Sequence, residues 1–437
     1  MQDNRTIEMR AFKHLGSRTK GDKVIWAVVV LLALMSLLAV YSSTGLLAYK
    51  MYKGNTEIYL FKQFAFIIAG VMIIYFAHMV NYVIYARVAK ILFLISIPLL
   101  FYTLFFGVKL NEGSRWIRLP IVNMTFQTSD LAKLALIMYI SRLLSRKQDQ
   151  IKDFKNGFLP VILPVAVVCL LIAPANLSTA LLIGATCMML MFIGRVSGKH
   201  LLLTMGIVMI PVLILIMAAV VRHKSSDTPL VKSKKTESHS GLFVRVDTWI
   251  NRVENFIYGA KTDKMDDNYQ VNQAKIAVAN GGWIGLGPGN SRQRNFLPHP
   301  YSDFIYAIII EEYGLIGGAI IMFIYLVFLF RSIRIFKKCP FAFGAFLALG
   351  LSFTLMIQAI ANMAVNVNLF PVTGVTLPLI SMGGSSFLFT CLAIGIILSV
   401  ARNAERIEGE ARAKNEEAKD IEEEEIEEQE NNEPAFA

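Results

Sequence analysis

Ionisable side chains inside long apolar runs are costly to hold there, so by default they mark a site or a pathway. Asp130 and Lys133 lie three residues apart on one helix face, in the apolar run 126–145. They read either as a self-neutralising ion pair or as part of a site. Arg115, Trp116 and Arg118 stand just before them. Asp303 follows Tyr301 and Ser302 at the opening of a second run, 303–330. An acid in the first turn of a helix complements the dipole and can cap it; the same carboxylate can also act as a base. Glu311 lies about 12 Å deeper along that helix, with Glu312 beside it. Gln358, Asn362 and Asn366, spaced by four, form a polar stripe that suits interhelical hydrogen bonding as well as a ligand. The run Gly281–Gly289 (GGWIGLGPG) has neither the strand context of a dinucleotide fingerprint nor the GK[ST] ending of a phosphate loop. It reads as a simple turn or, with Arg292 and Arg294 beside it, as an anion site.

The elements that must position these groups follow from composition. Of 437 residues, 55% are hydrophobic and 17% charged, against roughly 45–50% and 25% for a soluble domain. With a mean hydropathy of +0.53, a soluble enzyme, a disordered chain and a secreted disulfide scaffold are excluded. The four cysteines lie in or beside apolar runs at no metal spacing and read as buried thiols. A membrane-crossing helix needs about 20 apolar residues. Runs of that kind occur at 24–48, 58–80, 83–107, 126–145, 158–174, 177–194, 199–221, 303–330, 341–367 and 385–401. The predicted fold is therefore all-α and polytopic, with about ten transmembrane helices over residues 24–401.

Lys and Arg in the short connections place both termini in the cytoplasm, including a cytoplasmic segment 1–23. The stretch 222–302 is then a large extracytoplasmic loop between helices seven and eight. Its Trp249, Phe256, Tyr258 and Trp283 predict local order against the membrane. Between helices nine and ten, residues 368–386 are apolar but broken by Pro371, Gly374, Pro378, Gly383 and Gly384. Non-helical backbone at membrane depth survives only inside protein or beside a wet cavity, so this segment predicts a re-entrant loop. The tail 402–437 carries a block of like charge and predicts a disordered, cytoplasmic end. No nucleic-acid-binding motif occurs; the basic flanks point to membrane lipid.

Taken in order, the motifs resemble those of the SEDS proteins (shape, elongation, division and sporulation), over about residues 22–402. The first is Gly281-Gly282-Trp283 through Gly285-Leu286-Gly287, Gly289-Asn290-Ser291, Leu297-Pro298, Ser302-Asp303-Phe304-Ile305 and Glu311-Glu312-Tyr313-Gly314-Leu315. A second runs from Pro371 to Pro378, with Ser381 and Gly383-Gly384-Ser385-Ser386. A third is Arg115-Trp116 with Gln127-Thr128-Ser129-Asp130 and Lys133. Two departures stand out. The family's acid on the fourth span is usually Glu, here Asp130, and its Pro-Asp-Leu-Gly-Thr reads Ala175-Asn176-Leu177-Ser178-Thr179, losing a charge.

The resemblance implies a peptidoglycan glycosyltransferase that polymerises lipid II, the undecaprenyl-pyrophosphate disaccharide-pentapeptide, at the outer face of the cytoplasmic membrane. It makes Asp303 the catalytic base. Arg115, Trp116, Asp130, Lys133, Asn290, Ser291, Arg292, Ser385 and Ser386 become substrate-binding residues. No cofactor is obligatory, although a divalent cation, magnesium or manganese, is compatible with a departing pyrophosphate. The implied partners are a class B penicillin-binding protein transpeptidase and other membrane proteins of the division machinery. Tyr41-Ser42-Ser43 and the long terminal extensions are more like the division-type than the elongation-type members. Two other classes stay open at this point. A lipid II flippase would depend more on Glu311, Glu312 and the Gln358 stripe than on Asp303, and a scaffold would depend on none of them.

Overall fold

The computed structural model describes residues 21–45, 57–110, 113–118, 125–226, 242–258, 267–297 and 299–431. Residues 1–20, and with them most of the predicted N-terminal segment, lie outside the described residues. In chain order the elements are helices α1 (Lys23–Ser43), α2 (Glu57–Met79) and α3 (Tyr82–Phe106); strands β1 (Val108–Leu110), β2 (Gly113–Arg118) and β3 (Thr125–Gln127); and helices α4 (Thr128–Arg146), α5 (Leu159–Ile172), α6 (Leu177–Ile193), α7 (Gly198–Ser226), α8 (Leu242–Tyr258), α9 (Asp267–Gly281), α10 (Ile305–Lys338), α11 (Ala342–Asn366) and α12 (Ser385–Asn431). Each of the ten predicted runs coincides with a helix. Among the described residues, eight helices are long and apolar enough to cross a membrane, α5 being counted together with the π-helical turn Phe154–Phe158 that leads into it. The others at predicted runs are α4, which carries the Asp130–Lys133 pair, and α6, which has 17 residues.

Three features differ from the sequence expectation. Residues ahead of α4 form a small antiparallel sheet, in which Trp116 pairs with Gln127, so that helix starts at Thr128 rather than 126. Part of the large loop is helical, as α8 and α9. The last helix continues from Ser385 to Asn431, so residue 402 is no break in secondary structure; Glu, Lys and Ala are strong helix formers.

Polar caps set several helix starts. The Asp22 carboxylate accepts from Val24 N and Ile25 N at 2.9 and 3.3 Å. Its other oxygen holds the Arg331 guanidinium at 2.6 and 2.8 Å, tying α1 to α10. α11 is the centre of the bundle: 83% of its most apolar 18-residue window is buried, against 6% for α7. α7 therefore turns most of its surface outward.

α10 breaks at Gly314, whose φ of 71° lies in the left-handed region. The break leaves the carbonyls of Glu311 and Glu312 without helical partners. Leu286 N and Gly287 N of the glycine-rich run donate to them, both at 2.9 Å, and Leu315 N donates back to Gly282 O at 2.9 Å. Backbones this close exclude side chains. A Cβ at Gly314 would stand 2.2 Å from Trp283 O, and one at Gly285 would stand 2.3 Å from Glu312 O. We expect Gly314→Ala to lower the thermal midpoint of the purified protein, since a strained residue costs of order 1–3 kcal/mol before any clash. Gly409→Ala, where a Cβ meets nothing within 4 Å, should leave the midpoint unchanged or raise it. Equal midpoints for the two variants would contradict this reading of the break.

Candidate functional site

A cavity of about 420 Å³ opens between α4, α6, α11, the sheet and the turn before α10. Asp303, Asp130, Lys133, Trp116 and Ser386 all line it, so five of the predicted site residues meet in one place. The β2–β3 pairing puts Trp116 there, and the first turns of α4 put Asp130 and Lys133 there.

Asp303 sits in the turn Tyr301–Phe304, one residue before the N-cap position of α10. Its neighbour Ser302 donates Oγ–H to Asp303 Oδ1 at 2.9 Å. The backbone of this turn is held from outside. Asn362 Nδ2 and Asn366 Nδ2 of α11 donate to Asp303 O at 2.8 and 2.9 Å. Ser381 Oγ donates to Ser302 O at 2.7 Å, and Met382 N to Tyr301 O at 3.0 Å. Asn366 Oδ1 also accepts from Ala307 N at 3.0 Å, in the first turn of α10. The stripe on α11 is thus a clamp on the aspartate's backbone rather than a ligand surface. Its upper member, Gln358, faces the cavity: Nε2 donates to Thr376 O at 3.0 Å, and Oε1 accepts from Lys133 Nζ at 3.0 Å.

Residues 367–384 carry no helix, as the prolines and glycines predict. Their carbonyls find donors in the bundle. Asn362 Nδ2 reaches Val375 O at 2.7 Å, Ser36 Oγ reaches Ile380 O at 2.8 Å, and the Tyr325 hydroxyl donates to Pro378 O. This satisfies the condition for irregular backbone inside an apolar bundle.

Lys133 Nζ lies 3.3 Å from Asp130 Oδ1, and the side chains are 15% and 5% exposed. Shortening the family's Glu to Asp leaves this one-turn pair intact. Asp130 Oδ2 is buried with no partner, so one acceptor beside the lysine stays unsatisfied. Burial, then Tyr59 and Asp303, pushes the Tyr301 hydroxyl above its usual value and keeps it protonated; it lies 3.2 Å from His299 Nδ1. Asn176, where the family carries an acid, accepts from Thr179 N at 3.2 Å and so caps α6 while lining the cavity. The cap needs an oxygen acceptor, which Asn supplies as well as Asp.

Other predicted residues are placed elsewhere. Asn290, Ser291 and Arg292 do not line the cavity. Asn290 and Arg292 are exposed, and Asn290 Nδ2 donates to Leu286 O within its own loop at 3.1 Å. Ser291 is buried against the acids of α10: its hydroxyl donates to Glu311 Oε2 and its N–H to Glu312 Oε1 at 3.4 Å. The reason is the acid pair itself, 0% and 2% exposed, which needs every nearby donor. Asn280 Nδ2 and Gln293 N also reach Glu311, and the Ser42 hydroxyl reaches Glu312. Arg294 Nη1 then donates to Ser42 O at 3.0 Å. Ser385 is a neighbour of the cavity, not a wall; its Oγ accepts from Gln127 N at 3.2 Å and fixes the end of β3. Arg115 has its backbone in β2, and its side chain lies outside the described residues. Thr186 and Thr354 line the cavity without having been singled out; only their polarity inside apolar runs could have marked them.

Among the described residues no three His, Cys, Asp or Glu side chains come together to hold a metal. The cavity's carboxylates are Asp303 and the lysine-paired Asp130, too few for a protein-only cage.

These features define a multi-pass membrane protein whose polar cavity couples a carboxylate and an ammonium. A family model described as "Cell cycle protein", built on FtsW, RodA and SpoVE, matches residues 22–406. The chain belongs to this family, the SEDS family. It is 32% identical over 391 residues to stage V sporulation protein E of Bacillus subtilis, covering 88% of this chain and 98% of the relative. It is also 32% identical over 385 residues to the probable peptidoglycan glycosyltransferase FtsW of Geobacter sulfurreducens, covering 87% and 95%. Its fold matches the crystal structure of the rod shape determining protein RodA of Thermus thermophilus, with a TM-score of 0.60, 19% identity and 88% and 97% of the two chains covered. A chain from a study of "structural coordination of polymerization and crosslinking by a peptidoglycan synthase complex" matches at a TM-score of 0.64 and 21% identity, covering 88% and 98%.

The Asp130–Lys133 pair yields a test that separates folding from ligand binding. Lys133→Met strands a buried carboxylate, a change that typically costs 3–5 kcal/mol, so its thermal midpoint should fall clearly. Asp130→Asn with Lys133→Met removes both charges and should recover most of the midpoint. Recovery of the protein's activity as well would show that Lys133 serves only to neutralise Asp130.

Proposed function

We propose that the protein is a peptidoglycan glycosyltransferase that polymerises lipid II into glycan strands at the outer face of the cytoplasmic membrane. The observation that carries this reading is the pairing of Asp303 and Lys133 across one polar cavity at one end of an apolar bundle. The substrate has an apolar tail, a pyrophosphate and sugars, so its site needs an apolar surround, a fixed cation and a carboxylate. The cavity offers all three. The FtsW relatives support the activity through the name they carry.

In this reading an acceptor sugar hydroxyl attacks the anomeric carbon of the donor. Asp303 takes the hydroxyl proton as general base, the new glycosidic bond forms, and the anomeric carbon–oxygen bond to undecaprenyl pyrophosphate breaks. Displacement from the opposite face inverts the α-linked donor to a β-linked strand. Pyrophosphate is already a good leaving group and needs mainly charge stabilisation, which the Lys133 ammonium supplies within a preorganised site. Gln358 holds that ammonium in place, and Arg115 belongs to the strand that borders the same cavity. A magnesium or manganese ion of the kind held by one or two carboxylates together with substrate phosphates is compatible with this cavity, and no step here passes through one.

Glu311 and Glu312, which a flippase pathway would use, are engaged by Ser42, Ser291, Asn280 and Gln293 instead of facing the cavity. We further propose that both termini are cytoplasmic, that the protein acts at the division septum, and that a class B penicillin-binding protein crosslinks the strands it makes. The fold neighbour from a peptidoglycan synthase complex supports such a pairing.

The test is Asp303→Asn. It keeps the side chain's shape and the clamped backbone but removes the base. Loss of a general base typically lowers a rate 10²- to 10⁴-fold. Purified variant supplied with lipid II and its transpeptidase should elute and melt like wild type and make no strands resolvable on a gel. Wild-type strand yield from this variant would remove Asp303 from the chemistry.

A further inference from the structure

At the end of the bundle opposite Asp303, α3 begins at Tyr82, α4 ends at Arg146, and α11 begins after Phe341. Between them lies a second concavity, of about 390 Å³. Its walls include Arg87 of α3, Arg142 and Arg146 of α4, Tyr82, Phe341 and Phe343. Arg142 and Arg146 are four residues apart on one helix face, where like charges repel. Arg142 Nη1 donates to Ala86 O at 2.7 Å, which fixes the guanidinium while leaving most of its five donors to other partners. Among the described residues, no carboxylate forms an ion pair with any of these three arginines.

Three guanidinium groups around one pocket match a phosphate, whose oxygens accept bidentate forks. The pocket also carries exposed apolar side chains: Val83 and Phe341 are 42% and 56% exposed. Basic pockets between transmembrane helices at a membrane surface suit lipid headgroups in this way. We propose that this pocket binds a phosphate carried by an anionic phospholipid, in the leaflet opposite the Asp303 cavity. The headgroup bridges α3 and α4, while the Tyr82–Phe343 ring stack, at 6.3 Å between centroids, ties α3 to α11. The site is independent of the polymerase reading, because no residue of it lines the Asp303 cavity.

The experiment is native mass spectrometry of the full-length protein with phosphatidylglycerol or phosphatidylcholine added. Wild type should retain one phosphatidylglycerol in preference to phosphatidylcholine. Arg87→Gln with Arg146→Gln should retain about tenfold less, as expected for losing charge-assisted bonds. Both side chains are exposed, and Arg142 with its backbone bond is left alone, so this variant should elute and melt like lipid-free wild type. Arg334→Gln with Lys337→Gln removes the same number of charges from exposed positions at that end of α10, outside the pocket, and should retain as much lipid as wild type. Equal losses from both pairs would show general surface attraction and overturn the site, as would no loss from the arginine pair. Inorganic phosphate without lipid is the remaining arm. A rise in thermal midpoint equal to that given by phosphatidylglycerol would make free phosphate the ligand and overturn the lipid assignment.

Discussion

The carbonyls of Tyr301, Ser302 and Asp303 precede α10, and each is taken by a donor from elsewhere in the chain. Asn362 and Asn366 hold Asp303 O, Ser381 holds Ser302 O, and Met382 N holds Tyr301 O. Buried backbone groups left unpaired are expensive, so these bonds lock the aspartate's main chain to α11 and to the irregular segment after it. Everything else about the cavity depends on that clamp. α11 can supply it because it is the most enclosed helix of the bundle, and its stripe points at one place on account of its four-residue spacing. The same stripe reaches Lys133 through Gln358, so the carboxylate and the ammonium of the cavity share one rigid reference.

A second fastening acts about two to three turns deeper. The break at Gly314 frees two carbonyls of α10, and the glycine-rich run fills them with its own N–H groups. The adjacent acids draw in Ser42, Ser291, Asn280 and Gln293. Arg294 extends this network to α1 through Ser42. A long loop outside the bundle is thereby anchored to the helix that carries Asp303 at its head. The acids contribute anchoring, and the carboxylate that faces the cavity contributes chemistry. Acidic residues of two kinds thus lie along α10 and the turn before it, separated by burial.

Much of this is legible in the sequence. The runs of apolar residues locate the helices, and the polar stripe and the Pro- and Gly-broken segment mark the neighbours of a cavity. Asp303 and Lys133 stand out because charge is rare in such runs. The sheet is not legible: its strands are three to six residues long and lie beside a helix start, where periodicity is too short to show. The Gly-rich run reads as an anion site or a turn, because nothing in its composition shows that Glu311 and Glu312 need its donors. Asn290, Ser291 and Arg292 follow the motif into the predicted site, and the buried acid pair keeps Ser291 out of it. Asn176 shows the reverse: a lost charge with the cap function retained.

The central claim is that the glycosidic bond forms in the cavity beside Asp303. A structure of Asp303→Asn with lipid II bound tests it most directly. The account predicts the pyrophosphate against Lys133, and a sugar hydroxyl within about 2.6–3.2 Å of the substituted side chain at position 303, the reach of a proton-transferring group. Lipid II seated elsewhere, with no substrate atom in the cavity, would contradict it.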